Sequence, residues 1–154
     1  MEHLKEKNLE HVINNIKQLL ANLHIHYQNV RNFHWNITGR HFIELHEYLE
    51  GLYKNTAEFI DEAAERLRSL GIYTEQTLQE YIVMAEIQDQ VALTDPWGMV
   101  KAIRRDNEVI AHNLEAIIRA AEEAEDFGSS DMFATRLGEI EKQGWMIGAL
   151  LQQE

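Results

Sequence analysis

Four side chains of metal-binding type stand close together in this sequence: His34, His46, Asp61 and Glu65. Imidazole nitrogens combined with carboxylate oxygens suit iron, zinc or manganese. A small ligand set that leaves coordination positions open suits redox work better than a closed structural site. Thiolate sites and disulfides are excluded, because the chain has no Cys. Each residue also has an ordinary alternative. A His on a helix stripe can be a hydrogen-bonded core residue. An Asp–Glu pair one helical turn apart can be a solvated face, paired here with Arg66 and Arg68.

The spacing of the four decides how they can meet. From Arg40 to Leu70 there is no Pro and the only interior Gly is Gly51. Apolar residues recur at Phe42, Leu45, Leu49, Leu52 or Tyr53, Ala57, Ile60, Ala64 and Leu67, which is the rhythm of an amphipathic helix. His46 and Asp61 on one such helix are separated by roughly 22 Å at about 1.5 Å per residue. Metal–ligand bonds are about 2 Å long, so one straight helix cannot bring both residues to one ion. Two copies packed antiparallel about an axis near Tyr53 or Lys54 would place His46 of one beside Asp61 and Glu65 of the other. A two-fold interface then generates two equal sites.

The remaining elements follow the same logic. Leu9, Ile13, Ile16, Leu20, Leu23, Tyr27, Val30 and His34 step by four and three, so a long helix ends on His34 and stops near Gly39. The short link to the second helix makes the two antiparallel neighbours. Residues 71–95 form a long connection, within which Thr77–Ala85 predicts a short helix capped by Thr77 and Glu80. Thr94 or Asp95, with Pro96 in the first turn, opens a third long helix. Its stripe is Val100, Ile103, Ile110, Leu114, Ile117 and Ala121, interrupted by the polar Asn107. Asp126–Ser130 reads as a turn with either serine capping a fourth long helix, which carries Phe133, Leu137, Ile140, Ile147 and Leu151. The expectation is a single all-α domain over residues 1–154: a four-helix bundle with a short helix in the crossover between its second and third long helices. Residues 1–7, short and charged, are expected to be mobile.

Composition narrows the function. Lys plus Arg is 14 against 26 Asp plus Glu, a formal charge of -12 over 154 residues. Such a balance opposes nucleic-acid binding, which needs clustered positive charge, and favours cations. No apolar run is long enough to cross a membrane, and the opening MEHLKEKNLEHV has no signal-peptide core, so a cytoplasmic location is expected. Asn36-Ile37-Thr38 fits a glycosylation pattern by chance in that setting.

The run His34-Trp35-Asn36-x-x-Gly39-x-x-Phe42-x-x-Leu45-His46, followed by Asp61-x-x-Ala64-Glu65-Arg66, resembles the Dps family of miniferritins, the DNA-binding proteins from starved cells. The resemblance extends through the crossover helix to the Trp145-Met146 pair. It implies a ferritin-like subunit, a hollow dodecamer built from two-fold dimers, and iron(II) oxidised at shared sites with hydrogen peroxide as oxidant. It also implies that ferric mineral is stored inside, as a defence against oxidative stress. By this resemblance His34 and His46 act with a partner's Asp61 and Glu65, and zinc is a possible substitute for iron. Trp35 matches an aromatic that takes up oxidising equivalents, or simply anchors the interface. Asp126, Asp131 and Glu122 fall where the family lines three-fold pores with acids, although a helix start also favours an acid. One departure is plain: DNA-binding members often carry a basic tail, whereas Lys5 and Lys7 here stand among acids, so DNA binding is not expected. The alternative function is a structural shell that protects or compacts DNA with little ferroxidase activity.

Overall fold

The computed structural model describes residues 2–5, 7–74, 76–90 and 95–152. Five α-helices occupy them: α1 Glu10–Asn36, α2 Phe42–Ser69, α3 Leu78–Met84, α4 Pro96–Glu123 and α5 Phe127–Leu151. No strand is present among the described residues. The sequence signals act locally as expected. Thr77 and Glu80 form the reciprocal capping box of α3. Asp95 caps α4 ahead of Pro96, while Thr94, the other candidate, lies outside the described residues. Gly71, at φ 89°, ends α2 with Ile72 N–H on the Leu67 carbonyl and Gly71 N–H on that of Arg68, a Schellman closure. One expectation fails. The cap of α5 is Asp126, which accepts from Ser129 N–H, and neither Ser129 nor Ser130 takes that role. The reason is that α5 starts at Phe127, so both serines already lie inside its first turn.

α1 is the central element and touches α2, α3 and α4, while α4 packs on α5. Asn15 reaches the Ala116 carbonyl, Asn22 reaches Asn113 and His26 reaches Asp106, so α1 and α4 run antiparallel. α2 is therefore parallel to α4, and the chain must travel the length of the bundle to begin α4. The long crossover is that journey. Arg136 closes the ring between α5 and α2 by pairing with Glu62, and it also pairs with Glu139 on its own helix. Burial opposes the Arg136 charge, but the hydrogen bonds and charges of Glu62 and Glu139 outweigh it and hold its pKa above the ordinary value.

The core has two apolar ends. One gathers Ile16, Leu20, Leu67, Leu114, Ile117 and Phe133, and the other Val30, Phe33, Leu45, Leu49, Ile103 and Ile147. Between them lies a buried polar layer that composition did not reveal. His26 Nδ1 is 2.9 Å from Asp106 Oδ2, and Asn29 donates to the same oxygen at 3.5 Å. Asn29 also donates to the Gln88 carbonyl and accepts from Gln90 N–H. Asn22 accepts from Glu86 and Ile87 N–H. Two side chains of α1, Asn22 and Asn29, thus satisfy the crossover backbone and fix its path. Asp106→Ala would leave His26 and Asn29 buried without this acceptor. The expected cost is about 3 kcal/mol, read from a denaturant midpoint. Asp106→Asn keeps an acceptor and should lose less, and equal losses would show that the bond to His26 contributes nothing.

The described part of the N-terminal segment contacts the bundle at two points. Glu2–Leu4 forms a 3-10 turn, Leu4 packs against the core, and Lys7 donates to the Glu125 carbonyl while lying 5.8 Å from the Phe127 ring centroid. No helix of the described residues is long and apolar enough to cross a membrane.

Candidate metal centre

α1 delivers His34 on its last turn and α2 delivers His46 on its second, so the tight corner between the helices brings the two rings together. Their centroids are 3.9 Å apart with planes 20° from parallel. His34 Nδ1 is 2.9 Å from the His46 carbonyl, and His46 Nδ1 is 2.9 Å from the His34 carbonyl. A carbonyl only accepts, so each Nδ1 carries a proton, and in the neutral tautomer Nε2 is the nitrogen left to bind a metal. A hydrogen bond on one ring nitrogen that fixes the tautomer and aims the other is how metal-binding imidazoles are prepared. His34 is 7% exposed, Phe42 stacks on His46 at 4.9 Å, and Tyr53 meets His34 edge-on at 5.2 Å. The rings are thus held by packing as well as by hydrogen bonds.

Glu50 is a carboxylate that the sequence reading did not single out. It lies one turn beyond His46 on the same face of α2. Its carboxylate pairs with Lys54, whose hydrogen bond and charge hold its pKa below the ordinary value. The signal available was the four-residue step from His46. It was masked by the equally regular step to Lys54, which looks like a solvated ion pair.

Asp61 and Glu65 are not in this cluster. They are exposed on the far half of α2, which is unbroken from Phe42 to Ser69. Among the described residues no three His, Asp or Glu side chains converge on a metal-sized point within the chain. The two arginines that the solvated-face alternative paired with these acids go elsewhere. Arg66 donates to Asp126 at 2.6 Å and to Ser129 at 2.8 Å, and Arg68 lies over Tyr73 at 3.8 Å. The core face of the distal half of α2 is Thr56, Phe59, Ala63 and Leu67. Ala57, Ile60 and Ala64 are half-buried near Asp61 and Glu65, with Ile60 and Ala64 packing against the edge of the core.

Trp35 is 55% exposed, next to His34 in sequence, with the Arg31 guanidinium 4.7 Å from its ring centroid. Of the three acids expected at a pore, Asp131 and Glu122 are exposed. Asp126 is 2% exposed and commits one oxygen to Arg66 and the α5 cap.

A model of the ferritin-like domain matches residues 13–154. The DNA protection during starvation protein of Porphyromonas gingivalis is 36% identical over 146 residues, spanning 95% of this chain and 92% of that one. The DNA protection during starvation protein 2 of Bacillus anthracis is 34% identical over 142 residues, spanning 92% and 97%. Among solved structures, the Dps protein of Vibrio cholerae O1 is described as a member of a broad superfamily of ferritin-like diiron-carboxylate proteins. It superposes with a TM-score of 0.89 at 31% identity, covering 91% of this chain and 88% of that one. The same likeness runs through nearly the whole chain in each comparison, and on it the chain belongs to the ferritin-like family, as one of its Dps proteins.

Proposed function

We propose that this protein oxidises iron(II) with hydrogen peroxide and stores the ferric product inside a hollow homo-oligomer, a dodecamer by the family pattern. The observation that carries the reading is the pair of imidazoles at the α1–α2 corner, each with Nδ1 on the other's main chain and Nε2 free. His34 and His46 supply the nitrogen donors, Glu50 adds a carboxylate on the same side, and the partner's Asp61 and Glu65 complete the set. The carboxylates offset the charge of the arriving iron and of the ferric product. Two iron(II) ions give one electron each, and one peroxide with two protons becomes two waters. Zinc shares these donor preferences and would occupy the site as a redox-inert competitor.

Several surface features support assembly. Ile43, Leu78, Ile82, Val83 and Trp145 are all exposed on the single chain, more apolar surface than a lone subunit needs. The half-buried edge of α2, with Ala57 and Ala64 allowing close approach, suits the two-fold contact. Trp35 stands at the rim, where it can anchor the partner and accept oxidising equivalents. Asp131 and Glu122 are the acids free to line a pore that draws in iron(II), while Asp126 serves the α5 cap and Arg66.

The protein is expected to act in the cytoplasm without binding DNA. Its charge is -12, and Lys7, one of two basic residues near the start, is occupied by Glu125 and Phe127. Iron(II) added anaerobically to the assembled protein should be oxidised faster by peroxide than by oxygen. The same preparation should leave duplex DNA unretarded at 0.15 M salt. Iron oxidation no faster than in protein-free buffer defeats the reading, and retardation of DNA would favour the protective shell instead.

A further inference from the structure

We infer that the cleft between α4 and α5 binds a small aliphatic polyamine. Asn107, the polar residue that interrupts the apolar stripe of α4, is 3% exposed. Its Nδ2 donates to Gln143 Oε1 at 3.5 Å, whereas its Oδ1 has no hydrogen-bond partner. A buried oxygen left without a donor weakens a fold, and neither the proposed iron chemistry nor the packing of α4 on α5 makes use of this one. Asn107 lines an open cleft of about 360 Å³. A ligand that carries an N–H into the cleft supplies what the chain does not.

The other lining residues define that ligand. Ala111, Leu137, Ile140 and Gly144 make an apolar floor, and a Cβ added at Gly144 would meet nothing within 4 Å. Glu108, Glu115 and Glu141 are exposed at the rim, against the single guanidinium of Arg104. His112 Nδ1 lies 2.7 Å from the Glu108 carbonyl and donates to it, so in the neutral ring Nε2 is a further acceptor. The cleft is therefore rich in acceptors above a strip that favours methylene groups. Glu108 and Glu115 stand on one face of α4, roughly 10 Å apart at about 1.5 Å per residue. A chain of methylenes with ammonium groups at its ends meets both demands. One end reaches Asn107 and Glu108, the other reaches Glu115, which Arg119 shares at 2.6 Å, and the methylenes cover the floor. A bare metal ion suits the cleft less well, because it would leave most of the volume empty. Among the described residues, moreover, no three His, Asp or Glu side chains converge on a metal-sized point. An anion would face three carboxylates.

The test is calorimetric titration of the assembled protein with spermidine at about 0.15 M salt, where diffuse attraction to an acidic surface is screened. Saturable binding is expected, at one site per chain. Gly144→Leu fills the floor and should abolish it. Asn107→Leu keeps the bulk but removes the buried acceptor, and should weaken binding about tenfold. Should either variant fail to assemble, Glu108→Gln combined with Glu141→Gln, both at exposed positions, takes its place and should also weaken binding about tenfold. No saturable binding, or binding left unchanged by any of these variants, overturns the inference. So does full displacement of spermidine by an equal concentration of magnesium ion, the mark of diffuse counterion exchange. The result is independent of iron oxidation, because none of these residues belongs to the proposed metal centre.

Discussion

Replacing His34 and His46 together by alanine should slow the initial oxidation of iron(II) by more than 100-fold at equal protein concentration. The magnitude follows from what lesser changes do. Groups that merely orient a metal-bound ligand are worth about 10–100-fold, and here both nitrogen donors go at once. Alanine is chosen over glycine because both positions are helical, and glycine would cost each helix about 1 kcal/mol more. Loss of the stacked pair leaves a gap beside Phe42 and Tyr53, so the oligomeric state has to be checked by size before rates are compared. Slow mineral growth on acidic interior surface can survive, and for that reason the early phase is the quantity to measure. An assembled double variant with an unchanged early rate would show that iron is oxidised elsewhere.

The second large effect is rescue by mixing. One chain lacks His34 and His46, another lacks Asp61 and Glu65, and each alone should be nearly inactive. After dissociation and joint reassembly, random pairing gives about half mixed two-fold dimers. Each mixed dimer has one complete and one empty site, so about a quarter of the natural site density should return. The expectation rests on the straightness of α2, which keeps His46 and Asp61 roughly 22 Å apart at about 1.5 Å per residue. If exchange is verified by mass and no activity returns, the sites are not shared between chains.

How far the sequence reveals this molecule depends on whether a signal is local. Capping residues carry their meaning within one turn, so Thr77 with Glu80, and Asp95 with Pro96, could be read directly. Apolar periodicity located every long helix but could not tell one burial partner from another. On α2 the run of three-and-four steps followed the half-buried edge through Ala57, Ile60 and Ala64 and passed over Phe59, which is the more deeply buried. The polar layer was invisible for the opposite reason. Asn22, His26, Asn29 and Asp106 look like solvent-facing residues until their partners, on another helix or in the crossover, are known. The pairing of His34 with His46 was legible as residue type and spacing, whereas the exchange of their main-chain bonds needed coordinates.

That exchange has a consequence for how the site tolerates change over generations. Each ring takes its aim from the peptide group of the other residue, and every amino acid supplies a peptide carbonyl. No point substitution can delete the feature that orients either histidine, as it could if a carboxylate or hydroxyl did the work. A lineage that loses one histidine therefore keeps the other correctly aimed, provided the α1–α2 corner keeps its shape. Single losses should degrade the site by steps instead of abolishing it, and a reversion has an intact mould to return to. What such a lineage cannot vary is the length of the corner, since one residue added or removed there would part both bonds together.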